Sequence, residues 1–592
     1  MNHTSTKKVG WKLENFKKKT KKKFRRAVPD RDNWKMWFDE VESIAELFRG
    51  YLPYYLVIAL PIFIIISPAN PVAASHEFPV YRMQQFDLHG VQYGCRSAPI
   101  NMEAKALSTW SSSRHCVISK IQDLSMERFK EISEKAGALV VVLPSDLTAL
   151  SIEDRQNILE LEDLMMEREV SIPVYFTHWN PSIDDVLTDL STTIPTTPQP
   201  ARGSALETLM HSVSANGYQI VVNTHQSHTR TDVSVANIQG KLGGHGMEDK
   251  LPTVAIVAHY DSFGVAPDLA FGADSNGSGV AVLIELARIF SQLYSSQRTH
   301  AKFNLMFLLS GAGKLNYQGT KKWLEDHIDS IDGSPLQNAH FVICLDALSS
   351  GKDIYVHYSK PPKEGTATSN FFQELTQAAK ELNPEVKVEL MHKKINLADK
   401  RMFWEHERLS MKRMAGFTVS ALKSHQDYSR ATILDNTIDT ESIAQKASIL
   451  SEALARYIYN LSAEDVFTEN LKVDETAIEG VMDFLVAQPR AAQVLATKQN
   501  SLVTSLQSVL SRYLKDVKVS HLVPDKRDPD FSFYDVTKAT VNVYSVKPAV
   551  FDLFLTFAIV AYLGLSYLCI QNFSLFYGLV ARVSVPAKSK VQ

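Results

Sequence analysis

The chain has 592 residues, with 63 Lys and Arg against 65 Asp and Glu and a formal net charge of −2. That length accommodates two or more domains. The composition is ordinary for a globular protein, and the near balance of charge gives no reason to expect DNA as a partner.

Residues 1–50 read as a basic N-terminal extension on the cytosolic side, with Lys and Arg dominating from Lys7 to Arg26. Such a block suits a disordered tail that sets topology, or contact with anionic lipid or ribosomal RNA. Trp34, Trp37, Val41, Ile44 and Phe48 recur at helical spacing, as in an interfacial helix, although Asp39, Glu40, Glu42 and Glu46 make its polar face acidic. Residues 51–74 read as a signal peptide or a signal anchor. Tyr51–Ile66 carries no charge but is short for a span, and Val72-Ala73-Ala74 resembles a signal-peptidase site. Residues 76–200 form an N-terminal lobe, with buried strands at Ala138–Leu143 and Ile172–Phe176, and the Thr- and Pro-rich stretch 191–203 is a linker. Residues 205–460 alternate apolar strands with helices, which predicts a sheet covered on both faces. Residues 461–545 read as a helical region, helical by pattern from Thr476 to Val517, with a polar connection over Pro524–Phe533. Residues 551–573 are long and apolar enough for a transmembrane helix, and Arg582, Lys588 and Lys590 mark 574–592 as a cytosolic tail. The large domain is then lumenal.

Four cysteines are present. A lumenal address permits a Cys95–Cys116 disulfide; Cys344 sits in an apolar strand and reads as buried. Asn460-Leu461-Ser462 is a glycosylation sequon expected to be used, and Asn276-Gly277-Ser278 is a second one.

Chemistry concentrates between His259 and His425. His259 and Asp261 follow the apolar strand Thr253–Ala258, where open α/β sheets place their sites. Gly272-Ala273-Asp274 enters the same edge, Asp274 reading as a metal bridge or as a helix cap. Asp346 ends the strand Phe341–Leu345. His259, Asp261, Asp274, Asp346 and His425 resemble the ligand series of the di-zinc aminopeptidase and glutamate-carboxypeptidase family. That resemblance implies an α/β zinc-exopeptidase fold. It also implies a Glu-Glu pair after the strand Phe303–Leu309, one the general base and the other a ligand. Here Gly313 and Lys314 stand in those places. Loss of a general base costs roughly 10²–10⁴-fold, and an ammonium beside divalent metals is strongly repelled. A vestigial site without metal or other cofactor is therefore expected, with Lys314 among Asp274, Asp346 and His259 in the metals' place. A working zinc exopeptidase and a receptor for peptide N-termini are the alternatives.

Longer phrases, among them Ala258–Pro267, Asn316–Glu325, Trp404–Arg408 and Gln488–Gln493, resemble the nicalin family, nicastrin-related membrane proteins of the endoplasmic reticulum. The resemblance implies a non-catalytic scaffold in a complex with the Nodal modulator protein and a small multipass membrane protein. It also implies a link to the Sec translocon, the ribosome and multipass membrane-protein biogenesis, and to Nodal signalling.

Overall fold

The computed structural model describes residues 74–192, 217–328, 335–461, 467, 471–546 and 549–572. The basic extension, the first apolar segment up to residue 73, most of the 191–203 linker and the tail 574–592 lie outside them. Ala73–Ser204 and Ser214–Val546 make one compact unit; the C-terminal helix belongs to another.

The compact unit is built on two large sheets and one small one. An eight-stranded sheet runs in the order Val388–His392, Ile354–Tyr358, Gly416–Ser420, Ala339–Leu345, Thr253–His259, Asn304–Ser310, Val235–Leu242, Lys515–Leu522. Its centre is parallel, Thr253–His259 pairing with both Asn304–Ser310 and Ala339–Leu345. All seven residues of Thr253–His259 and of Asn304–Ser310 are buried, as expected where helices cover both faces. One face packs Ile256, Phe307 and Ile343 against the helices Gly279–Ser295, Ala367–Leu382 and Thr440–Tyr459. The other packs Val257, Leu308 and Cys344 against Trp323 and Leu409. Parallel strands sandwiched in this way leave their carboxyl ends as a shared edge, and His259 is the last residue of the central one.

A second sheet closes into a barrel of seven strands: His76–Arg82, Lys538–Val546, Gly217–Val222, Ile100–Ala106, Cys116–Lys120, Ala138–Leu143 and Val174–His178. A four-stranded sheet, Phe531–Phe533, Gln85–Leu88, Val91–Cys95 and Glu169–Val170, completes the lobe.

The region expected to be helical from 461 to 545 differs. Helices Glu475–Val486 and Ser501–Tyr513 are present, but Lys515–Leu522, Phe531–Phe533 and Lys538–Val546 are strands. Lys-Asp-Val-Lys-Val-Ser-His-Leu alternates with period two, which an edge strand exposed to solvent adopts. Phe531 and Phe533, inside the expected polar connection, are each 1% exposed.

The expected Cys95–Cys116 disulfide does not form. Both thiols are free and buried, because the two strands belong to different sheets. Cys95 packs on one core and Cys116 on another, and the Cys95 Sγ hydrogen-bonds the carbonyl oxygens of Ser97 and Ile172. Burial pushes the Cys116 thiol up to about 12.

The helix Ala549–Gln571 has 23 residues. Its described side chains run unbroken from Leu553 to Leu568 and are exposed or half-exposed. Among the described residues, no helix is long and apolar enough to cross a membrane.

Candidate functional site: a cation-filled peptidase-like cleft

His259 is fully buried. Its Nδ1 lies 3.7 Å from Glu405 Oε2 and 3.3 Å from the Asn276 amide nitrogen, and its ring meets Tyr317 edge-on at 5.6 Å. Glu405 accepts from Ser310 Oγ at 2.8 Å and from Thr320 Oγ1.

Asp261 serves the backbone. Its carboxylate accepts from the amides of Gly313 at 2.7 Å and Lys314 at 3.1 Å, which fixes the loop after the strand Asn304–Ser310. Burial raises its carboxyl above the ordinary range, against the pull of His259. The loop is pressed tightly onto the histidine. A Cβ on Gly313 would stand 2.3 Å from His259 Cβ and 2.4 Å from Cγ, so this backbone has no room for any side chain there, glutamate included.

Asp274 does not sit where expected. Its carboxylate turns to the next loop, accepting from the amides of Ser349 at 2.7 Å and Ser350 at 3.1 Å and from the hydroxyls of Ser278 and Ser350. It lines a cavity of about 250 Å³ with Arg155, Asp435 and Asp439. Ser275 faces the site instead. Its hydroxyl donates to Asp346 Oδ1 at 3.2 Å and accepts from Lys314 Nζ at 2.5 Å. Asp435 holds this turn, accepting from the amides of Asp274 and Ser275 at 2.8 Å each. Burial, and then the neighbouring Asp274 charge, raise the Asp435 carboxyl to about 6.

Asp346 is 1% exposed and forms a 2.5 Å ion pair with Arg430 Nη2. The guanidinium lies over the Trp404 ring at 4.0 Å and reaches the Tyr317 hydroxyl at 3.3 Å. Burial alone would raise the Asp346 carboxyl, but Arg430, then Lys314 and His259, outweigh it and hold it well below the usual carboxylate range. Lys314 Nζ also donates to the Arg430 carbonyl at 2.9 Å; burial lowers its ammonium, opposed by Asp346. The expected neutralisation of the carboxylates thus centres on Asp346, with Arg430 as the direct partner.

His425 is not brought to the site. Its ring packs edge-on against Phe403 at 4.5 Å, and only its backbone carbonyl meets Arg430. Ser275, Tyr317, Trp404, Glu405 and Arg430 escaped the sequence reading. The last had one usable signal, an arginine five residues beyond the expected ligand histidine.

A glycan on Asn276 is ruled out by packing. The side chain is fully buried, its amide donating to the carbonyls of His259 and Leu345 and its oxygen accepting from the Ala347 amide. Asn460 is exposed, at the left-handed end of the helix Thr440–Tyr459 (φ 51°).

These residues do not fit a pair of zinc ions. Carboxylates and neutral imidazoles hold zinc, whereas here Arg430 pairs with Asp346, Lys314 reaches Ser275 beside it, and Asp261 is taken up by the amides of Gly313 and Lys314.

A model of peptidase family M28 matches residues 237–442, and a crystal structure of the gamma-secretase component nicastrin covers 80% of this chain and 100% of its own at a TM-score of 0.54 and 10% identity. The protein is thus a mixed α/β protein with a peptidase M28-like fold that is similar to that of nicastrin. A human protein named BOS complex subunit NCLN is 45% identical over 91% of this chain and 97% of its own length. Nicalin of Caenorhabditis elegans is 28% identical over 89% and 96%. The chain belongs to the nicalin family.

Proposed function

We propose that the chain is a non-catalytic, membrane-anchored scaffold subunit of an endoplasmic reticulum complex. The observation that carries the non-catalytic part is the Lys314–Ser275–Asp346–Arg430 cluster, in which cations meet the Asp346 carboxylate, beside a Gly313 with no space for a general base. The subunit role rests on relatives named as BOS complex subunits. The partners proposed are the Nodal modulator protein and a small multipass membrane protein, at the Sec translocon during multipass membrane-protein biogenesis, with a role in Nodal signalling.

The helix Ala549–Gln571 is the proposed anchor. Counted over its full range of 23 residues rather than over its described side chains alone, it rises about 34 Å against a hydrocarbon core of about 30 Å, and Leu553, Phe554, Leu555, Phe557, Ile559 and Val560 stand exposed along it. Basic residues beyond it support a cytosolic C-terminus and a lumenal main body.

The receptor reading is weaker. Both oxygens of Asp274 are engaged and Asp346 is paired, so neither of the two aspartates that reading relies on is open to a peptide α-amino group.

The test is purification of the full chain from membranes in mild detergent, with partner identification and a peptide-hydrolysis assay in added zinc. Expected are the two partners in about equimolar amount and no release of N-terminal residues. Zinc-dependent release abolished by His259→Ala would overturn the non-catalytic reading. Absence of both partners would overturn the scaffold reading.

A further inference from the structure

Among the described residues, one group of histidines and acids is placed to hold a metal ion, and it lies outside the cleft. His225, His228 and Asp535 bring one ligand atom each to within 4.8 Å of one another. His225 Nε2 is 2.8 Å from Asp535 Oδ2, and the two imidazoles stack at 5.6 Å with planes 23° apart. We propose that these three side chains form a binding site for a zinc-type divalent transition ion, which staples the loop after the strand Gly217–Val222 to the loop after Phe531–Phe533.

The donor chemistry selects the class. Two imidazoles and a carboxylate suit zinc and its neighbours, whereas calcium and magnesium want oxygen alone. Zinc holds such ligands at about 2.0–2.1 Å, which sets donors about 3.4 Å apart. Small rotations of the exposed rings close the remaining distance. Three protein ligands leave a fourth position for water.

The backbone beneath is already fixed, so the ion orders little new structure. The His228 amide donates to Asp535 Oδ1 at 2.7 Å, and the Asp535 amide donates to the His228 carbonyl at 3.0 Å. Thr229 bridges to Tyr534, and the Arg230 amide donates to the Phe533 carbonyl at 2.8 Å. Arg82, 1% exposed, clamps both loops from below, donating to the Asp535 carbonyl at 3.2 Å and to Ser227 Oγ at 3.0 Å. Ligands on rigid, pre-paired loops are what a metal site requires. The contact joins residues 310 apart in sequence.

The experiment uses the full-length chain in detergent, dialysed against low-micromolar zinc and then assayed by elemental analysis. Thermal unfolding is followed with zinc and with chelator. One zinc per chain is expected, with a zinc-dependent rise in Tm, and cobalt should give the visible absorption of a four-coordinate site. His225→Gln with His228→Gln should cut bound zinc to below a tenth per chain and remove the Tm response. Its Tm in chelator should match that of the parent, which shows the fold intact. His259→Ala should retain the zinc. Less than a tenth of a zinc in the parent chain, retention by the double variant, or loss on His259→Ala would each overturn the proposal.

Discussion

Arg430 and Asp346 lock the cleft through a single buried pair, so the two residues are unequal to their neighbours in what their removal costs. Arg430→Met leaves Asp346 charged, buried and without its main partner. Breaking a buried pair from one side costs about 3–5 kcal/mol, and a thermal-unfolding scan should show a correspondingly large drop in Tm. Lys314→Met removes hydrogen bonds to Ser275 and the Arg430 carbonyl but leaves the ion pair, so a smaller loss of about 1.5–3 kcal/mol is expected. Gly313→Glu should destabilise rather than revive the site, because its Cβ would overlap the His259 side chain. Glu162 adds a pH dependence. It is buried, and burial raises its carboxyl to about 7, against the hydrogen bonds from Thr432 and the Ile433 amide. A carboxyl raised in the folded state holds its proton there after the unfolded chain has released it. Stability therefore falls as pH rises from about 4.5, the unfolded value, to about 7. Glu162→Gln should make the fall in Tm between those limits shallower, leaving the part that Asp435 contributes up to about 6; an unchanged slope would assign it to another group.

At the level of elements, the legible parts were those with a strong pattern. Val254–Val257, Leu305–Leu309 and Val342–Leu345 are continuous apolar runs, and each is a buried strand of the central sheet. Lys515–Leu522 and Lys538–Val546 are strands whose lysines and alternating burial hid them behind the helical pattern upstream. The site was half legible for a similar reason. His259 and Asp346 are fixed by where strands end, which residue type and run length disclose. Whether Asp274 or Ser275 points inward depends on the path of a turn between them, and adjacent residues in a loop carry no such signal. Arg430 enters from a short helical turn, Tyr428–Ala431, with no motif around it. A chain stopped at Leu514 should fail to fold despite keeping the whole peptidase-like segment, because it lacks one edge of the large sheet and a barrel strand. Aggregation of that truncation, against a well-behaved chain ending at Val546, is the expected result.

At the largest scale, the compact unit Ala73–Ser204 and Ser214–Val546 is made from its own first and last strands together. If that body is lumenal, glycosidase digestion should give one mobility shift that Asn460→Gln abolishes and Asn276→Gln, where it folds at all, does not. A shift that depends on Asn276 would contradict its burial. The barrel adds a consequence for how the protein is made. His76–Arg82 pairs along its length with Lys538–Val546, and the first described residues hydrogen-bond to the last strand across 470 positions. At roughly 5–20 residues per second of synthesis, the opening strand waits about 25–90 s for its partner. During that interval it offers an unpaired edge to whatever is nearby. The lobe cannot close until almost the whole body has emerged, so the fold's own assembly is gated by completion of its chain, and its two ends leave the finished barrel side by side.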